Sequence, residues 1–354
     1  MRGHAKNRAS GFTLLEVLIT IVILFVVMDA VMLFFLNVMG EFRRQSKVTE
    51  TGVETVIGLE IMRKDIEGAG YGLPWNALPS YSEATGLTDA NDTSGTAPRA
   101  IVNVDGGGLN GSDVLVVKSV SVGTDNACRK WTTLQSGDVK RVWNDTLLDF
   151  LPTDQVLVIG TGVDASIQRR YMGTAAFNAT AGLAPSAQSV RLVHGLTDGA
   201  TPRMPFNRAE YFIDTTNVPA LCAPGTGVLV KSVIVNSTAG GGGGRGELLP
   251  LLDCVLDFQV AFGINTVGTG ATVDSVVGVT DNTAEQLRLR LRDVRISVLA
   301  QEGAKDDRYT HPEATVFVGD NTTGGAVGAS DDLSTLRNYR WKVHTIVVRP
   351  SSMR

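Results

Sequence analysis

Hydrophobic and polar positions divide the chain into two unlike parts. From Phe12 to Met39 every residue is apolar apart from Thr13, Glu16, Thr20, Asp29 and Asn37. A run of that length exceeds the roughly twenty residues with which a helix crosses a bilayer. Beyond it Val53, Val56, Leu59, Met62 and Ile66 recur every three or four residues, which predicts one apolar face of a continuing helix. The glycine cluster "GAGYG" at residues 68–72, followed by Pro74, is a stop signal. The pattern therefore predicts one helix from about Phe12 to Glu67, roughly 84 Å long at the standard rise. Its first part, about 12–39, has the character of a membrane span, and the rest is amphipathic. No proline precedes Pro74, so Gly40, Gly52 and Gly58 are the expected flexible points.

After residue 74 the hydrophobic period switches to two. "AIVNV", "DVLVVKSVSV", "QVLVIG", "SVRLVHGL", "AEYFIDTT", "GVLVKSVIV", "CVLDFQVAFG", "DVRISVLAQ" and "RWKVHTIVVR" read as strands separated by glycine and asparagine turns. "TAEQLRLRLRD" fits two templates: Leu287, Leu289 and Leu291 alternate as in a strand, while Thr283 can cap a short helix. The helix is the preferred reading. The glycine-rich stretch from Ala239 to Gly246 predicts a flexible loop. No strand–helix alternation runs through this part, which favours an antiparallel sheet. The expected fold class is α+β: a long N-terminal helix packed on a mainly antiparallel β-sheet head over residues 68–354, read as one body.

Composition adds compartment and partner class. The 354 residues carry a formal charge of −4, and loss of the basic leader residues Arg2, Lys6 and Arg8 would take this to −7. An acidic body argues against nucleic acid as a partner. Basic residues before the apolar run place the head outside the cytoplasm. The run is too long for a secretory signal core and lacks a small-residue cleavage site on its far side, so it reads as retained. Cys128, Cys222 and Cys254 form no C-x-x-C pair. Outside the cytoplasm they allow one disulfide, with Cys222 and Cys254 the nearer pair, or three reduced and buried thiols.

One residue in the apolar run calls for a reason. A carboxylate in hydrocarbon costs on the order of a few kcal/mol unless it finds a partner, and Glu16 lies only five residues after Gly11. The surrounding "GFTLLEVLI" (Gly11, Phe12, Thr13, Leu14, Leu15, Glu16 and onward) resembles the type III signal of type IV prepilins and pseudopilins. That resemblance implies cleavage by a prepilin peptidase between Gly11 and Phe12, making residues 1–11 a leader, residues 12–67 the helix and residues 68–354 the head. It implies N-methylation of Phe12, and it makes Glu16 the assembly residue that meets the terminal amine of a neighbouring subunit. Asp29 has no counterpart in the motif; it pairs with another subunit, faces a polar gap between packed helices, or lies near the outer boundary of a tilted helix. "RKDIEGAGYG", "LLDCVLDFQVAFGIN", "LRDVRISVLAQEG" and "NYRWKVHTIVVRP" resemble PilW-type minor pilins. The implied protein is a minor pilin of the inner membrane, single-pass with its head outside, and later of the pilus. Its implied partners are other pilins and minor pilins, the prepilin peptidase, the inner-membrane pilus assembly machinery and membrane lipid. The alternatives are a J-type pseudopilin of type II secretion and an adhesin or binding module carried on a pilin stem.

Other candidate chemistry is weaker. Gly106, Gly108 and Gly111 spell G-x-G-x-x-G, but a strand follows them where a dinucleotide site needs a helix, so a hairpin loop is expected. His4, His194, His311 and His344 are isolated, with no metal-ligand spacing. "DGGGLNGSD" and "GASDD" lack the spacing of a calcium loop. The N-x-S/T triplets at Asn91, Asn178 and Asn236 suit exposed loops. In the last strand Tyr339, Trp341, Val343 and Val347 share one face and Arg340, Lys342 and His344 the other, a half-buried strand with a solvated basic face. No nucleophile elbow or triad is present. Neither cofactor nor metal nor catalysis is expected.

Overall fold

A computed structural model describes residues 13–75, 80–135, 138–139, 141–161, 170–177, 190–199, 201–238, 242–278, 282–322 and 326–353. Residues 1–12, with Gly11 and Phe12 among them, Asn178 and residues 239–241 of the glycine-rich loop lie outside them.

Helix α1 runs from Leu14 to Glu67. Thr13 caps its start, its hydroxyl accepting from Glu16 N at 3.3 Å. The end falls where the glycines stand: Gly68 N donates to Lys64 O, and Gly70 and Gly72 take φ of +80° and +72°, a conformation that costs glycine little. Every residue from Thr13 to Met39 is exposed. The head first touches α1 at Val48, packed on Gly303, and at Thr51, whose hydroxyl accepts from Gly303 N. About 50 Å of helix therefore projects free of the head.

The packed face differs from the predicted one. Leu59, Met62 and Ile66 are buried as expected, but Val53 and Val56 are exposed at 55% and 68%, and Thr55 takes the buried place one turn before Leu59. Thr55 manages this because its hydroxyl donates to Thr51 O at 2.8 Å, so no polar group is left unsatisfied. Gly58 is likewise no flexible point. A Cβ there would lie 2.1 Å from the carbonyl oxygen of Leu251, so the missing side chain is what lets the helix meet the sheet backbone. Gly58→Val should lower head stability by about 1–3 kcal/mol through overpacking, read as a reduced urea midpoint. Gly52→Ala, with nothing within 4 Å, should not.

Ten strands and the short helix set the scaffold. The large sheet runs in spatial order β1 (Ile101–Val104), β2 (Val114–Ser119), β8 (Asn207–Asp214), β9 (Gly227–Ile234), β10 (Arg245–Ile264), β12 (Leu291–Glu302) and β15 (Arg340–Val348), with β11 (Ser275–Val277) on β10. Every pairing is antiparallel. A hairpin of β13 (Thr315–Asp320) and β14 (Val327–Asp332) makes two more. Helix α2, Ala284–Arg290, is the short helix favoured above, with Thr283 and Gln286 forming a capping box. The G-x-G-x-x-G segment is the connection between antiparallel β1 and β2.

Both faces of the large sheet are covered. One face, including Leu115, Val117, Tyr211, Phe258, Val260, Ile296 and Val298, closes on Leu59, Met62 and Ile66 of α1. Over β12 and β15 the other face packs Leu299 and Trp341 against Val318 of the hairpin. Over β2 and β8 it carries Lys118 and Arg208, both fully buried. Lys118 pairs with Glu83 and Asp92, and Arg208 pairs with Glu83 and Glu210, so charge as well as the apolar contacts of Ala84 and Ala90 holds the 80–99 segment down. Burial alone would raise Asp92, but Lys118 and Arg99 outweigh it and hold its carboxyl below the usual range.

The last strand shows what two-sided cover does to alternation. Trp341 and Val343 pack as predicted, whereas Val347 is 57% exposed. On the basic face Lys342 and Arg340 pair with Glu302 and Asp306, and further along Ile346 and Val348 turn into the core beneath α1. The predicted strands "QVLVIG" and "SVRLVHGL" belong to a second sheet that lies apart, in the order β4 (Asp138–Val139), β3 (Trp131–Gln135), β7 (Val190–Asp198), β5 (Asp154–Thr161) and β6 (Arg170–Ala176). Its small core is Leu134, Val156, Val158 and Val193.

Candidate functional site

The projecting half of α1 is the part of the molecule whose residue types and surroundings disagree most. Val17 through Met39 display apolar side chains to their surroundings with no cover from the head. Exposed apolar surface on this scale marks contact with a membrane or with other proteins. The helix is long and apolar enough to cross a bilayer, by length and composition.

Glu16 stands in the first turn of this helix. It is exposed, and among the described residues no cation forms an ion pair with it. A carboxylate near a helix N-terminus gains from the free N–H groups there, typically under 1 kcal/mol. That is less than the cost of placing it unpaired in hydrocarbon. Asp29 lies thirteen residues on, about 20 Å along the axis and about 220° around it, so Glu16 and Asp29 face different neighbours. Gly11 and Phe12 lie outside the described residues.

The remaining candidates fall elsewhere and serve the fold. Cys222 and Cys254 form a disulfide with Cα atoms 4.9 Å apart, far along the chain from the stem. Cys254 takes φ of +55°, at the register break between Leu252 and Val255 of β10. Cys128 is free and buried, and burial pushes its thiol up to about 12. His194 lies against Tyr71, His311 Nδ1 contacts Glu313 O, and burial and Lys342 hold His344 below the usual imidazole range. Asp113 of the glycine loop accepts from Gly106 N, Val260 N and Asn103, and Asp331 of "GASDD" faces Asp257. Among the described residues no three His, Cys, Asp or Glu converge to hold a metal.

What positions the stem is a set of residues that pattern reading missed. Asp65, on the buried side of α1, accepts from the Tyr211 hydroxyl of β8 and pairs with Lys231 of β9 at 2.5 Å. Burial and the adjacent Asp65 carboxylate raise the Tyr211 phenol well above its ordinary range. The only sequence signals are a carboxylate beside Ile66 and a lysine in the middle of an apolar strand.

The comparisons agree with this geometry at its N-terminal end. Residues 6–28 match the family model described as the prokaryotic N-terminal methylation motif. Among solved structures, a type IV-like pilin from Thermus thermophilus is similar over 42% of this chain and 80% of that one, at 13% identity and a TM-score of 0.20. No curated protein matches. The chain thus joins an N-terminal methylation motif to one long N-terminal helix packed on a mainly antiparallel sheet.

Proposed function

We propose that the chain is a minor pilin of a type IV pilus system, of the PilW type, acting in priming or at the tip of the filament. On this reading residues 1–11 are a leader removed between Gly11 and Phe12, and Phe12 is N-methylated. Residues 12–67 form the stem, and residues 68–354 form the exported head. The protein starts in the inner membrane with its head outside the cytoplasm and then moves into the pilus.

The observation that carries the reading is Glu16, exposed and without an ion pair among the described residues, on the part of the stem that projects beyond the head. In the bilayer that carboxylate is a cost of about 2.5–3.5 kcal/mol. A second stem whose Phe12 amine lies at the same depth removes the cost, and only at one axial offset. Buried pairs of this kind set register more than they add stability. Lateral packing of the stems supplies the contact area, and the prepilin peptidase and inner-membrane assembly machinery act before and during docking. The separate five-stranded sheet enlarges the head, and bulk fits an end of a filament better than a repeating position.

Glu16→Ala should be processed normally yet be lost from sheared filaments by about fiftyfold or more, the free-energy cost above taken as a binding difference. Gly11→Trp should stay unprocessed. Wild-type incorporation of Glu16→Ala would overturn the pairing. A defect in protein secretion with normal piliation would instead favour the J-type pseudopilin.

A further inference from the structure

At the end of the head away from the apolar half of α1 there is a cleft of about 970 Å³. Its place follows from two contacts: Ser351 N bonds Glu67 O at the end of α1, and Met353, which lines the cleft, packs on Gly70. Four arginines line it, Arg288, Arg292, Arg295 and Arg349, against one acid, Asp293. Asp293 is already committed to Arg295 at 3.0 Å, and Arg295 also reaches Asp320. The cleft is therefore strongly positive in a chain whose net charge is −4.

Two of these cations are built for an outside anion. Arg292 donates to the carbonyls of Gly268, Gly270 and Leu291, which fixes its guanidinium without neutralising it. Arg349 is exposed and makes neither hydrogen bond nor ion pair among the described residues. Arg288 lies over the Trp75 ring at 4.8 Å, which orients its plane. Fixed guanidinium forks match carboxylates two bonds at a time. Between them the walls mix apolar Val273, Leu289 and Pro350 with Thr269 and Thr272.

We propose that this cleft captures an acidic segment of a partner protein, one in which carboxylates alternate with apolar side chains. The walls decide the class. A peptide uses guanidinium and apolar surface together, whereas a sugar polymer gains most from aromatic faces, and among the described residues no aromatic ring lines the cleft. A lipid surface is excluded by position, since the cleft and the apolar stem are at opposite ends of the head. The inference concerns the head alone, so its failure would leave the filament reading intact.

The test uses the full chain in detergent micelles and a fluorescent hexapeptide alternating leucine and glutamate. Anisotropy should show binding that weakens about tenfold when glutamine replaces glutamate and falls several-fold between about 0.05 and about 0.3 M salt. Arg349→Glu should weaken binding about tenfold with an unchanged melting temperature, because Arg349 supports nothing in the fold. Arg349→Lys should retain part of it. Equal binding of the two peptides, or no effect of Arg349→Glu, would overturn the proposal. So would a sulfated polysaccharide that binds more tightly than the acidic peptide.

Discussion

Replacing Asp65 by alanine is expected to lower head stability by about 3–5 kcal/mol, the cost of leaving a buried charge without its partner. Lys231 is 8% exposed and Tyr211 fully buried, and both direct their polar atoms at Asp65. With the carboxylate gone, a lysine ammonium and a phenol lose their acceptor at the joint between α1 and the sheet. For a head of this size the loss corresponds to a melting temperature lower by about 10 °C. Asp65→Asn should cost less, since the amide oxygen still accepts from Tyr211. Pairing Asp65→Ala with Lys231→Met should recover part of the loss, because the unpaired charge goes with it. A melt of Asp65→Ala within a degree of wild type would show that the stem is held by apolar packing alone.

A second large effect is expected from pH. Asp331 of β14 faces Asp257 of β10, and burial together with that neighbouring carboxylate pushes Asp331 up to about 7. Burial likewise raises Asp257, against the pull of bonds from Gln259 and Phe258 N. Burial pushes Asp113 up to about 6, although Val260 N, Gly106 N and Asn103 donate to it. A carboxyl whose folded value lies above its unfolded one keeps its proton better in the folded state. Its stabilisation is therefore complete below about pH 4 and is lost as pH rises through 6 and 7. Allowing for partial exposure and screening, the pair should contribute on the order of 1–2 kcal/mol to the difference. Urea midpoints should fall between pH 5 and pH 8, and Asp331→Asn should flatten that fall while keeping a hydrogen bond to Asp257. A midpoint that rises over this range in the wild type would contradict this assignment.

The sequence was legible where one physical demand dominated. The apolar run and the glycine stop fixed both ends of α1 within a residue or two, because lipid and helix geometry leave few alternatives. The strands of the large sheet were legible as β-branched runs, and Thr283 identified α2. Glu16 stood out because nothing local can compensate a carboxylate there. Long-range compensation was illegible. Val53 and Val56 looked like core positions, but burial passed to Thr55 because its hydroxyl bonds back to its own helix. Trp131–Gln135 and Val327–Asp332 have too few apolar positions for a period of two to stand out, and the second strand of the hairpin is glycine, serine and aspartate at its centre. Asp65, Lys231, Lys118 and Arg208 carry no local sign of their burial, since their partners come from distant segments.

Everything proposed for the stem depends on where the chain begins once it leaves the membrane. Intact mass measurement of the protein recovered from its native envelope tests this most directly. The account predicts a chain starting at Phe12 and carrying one additional methyl group on its amine. A mass that includes residues 1–11 would leave Glu16 without its complementary amine and would contradict the account.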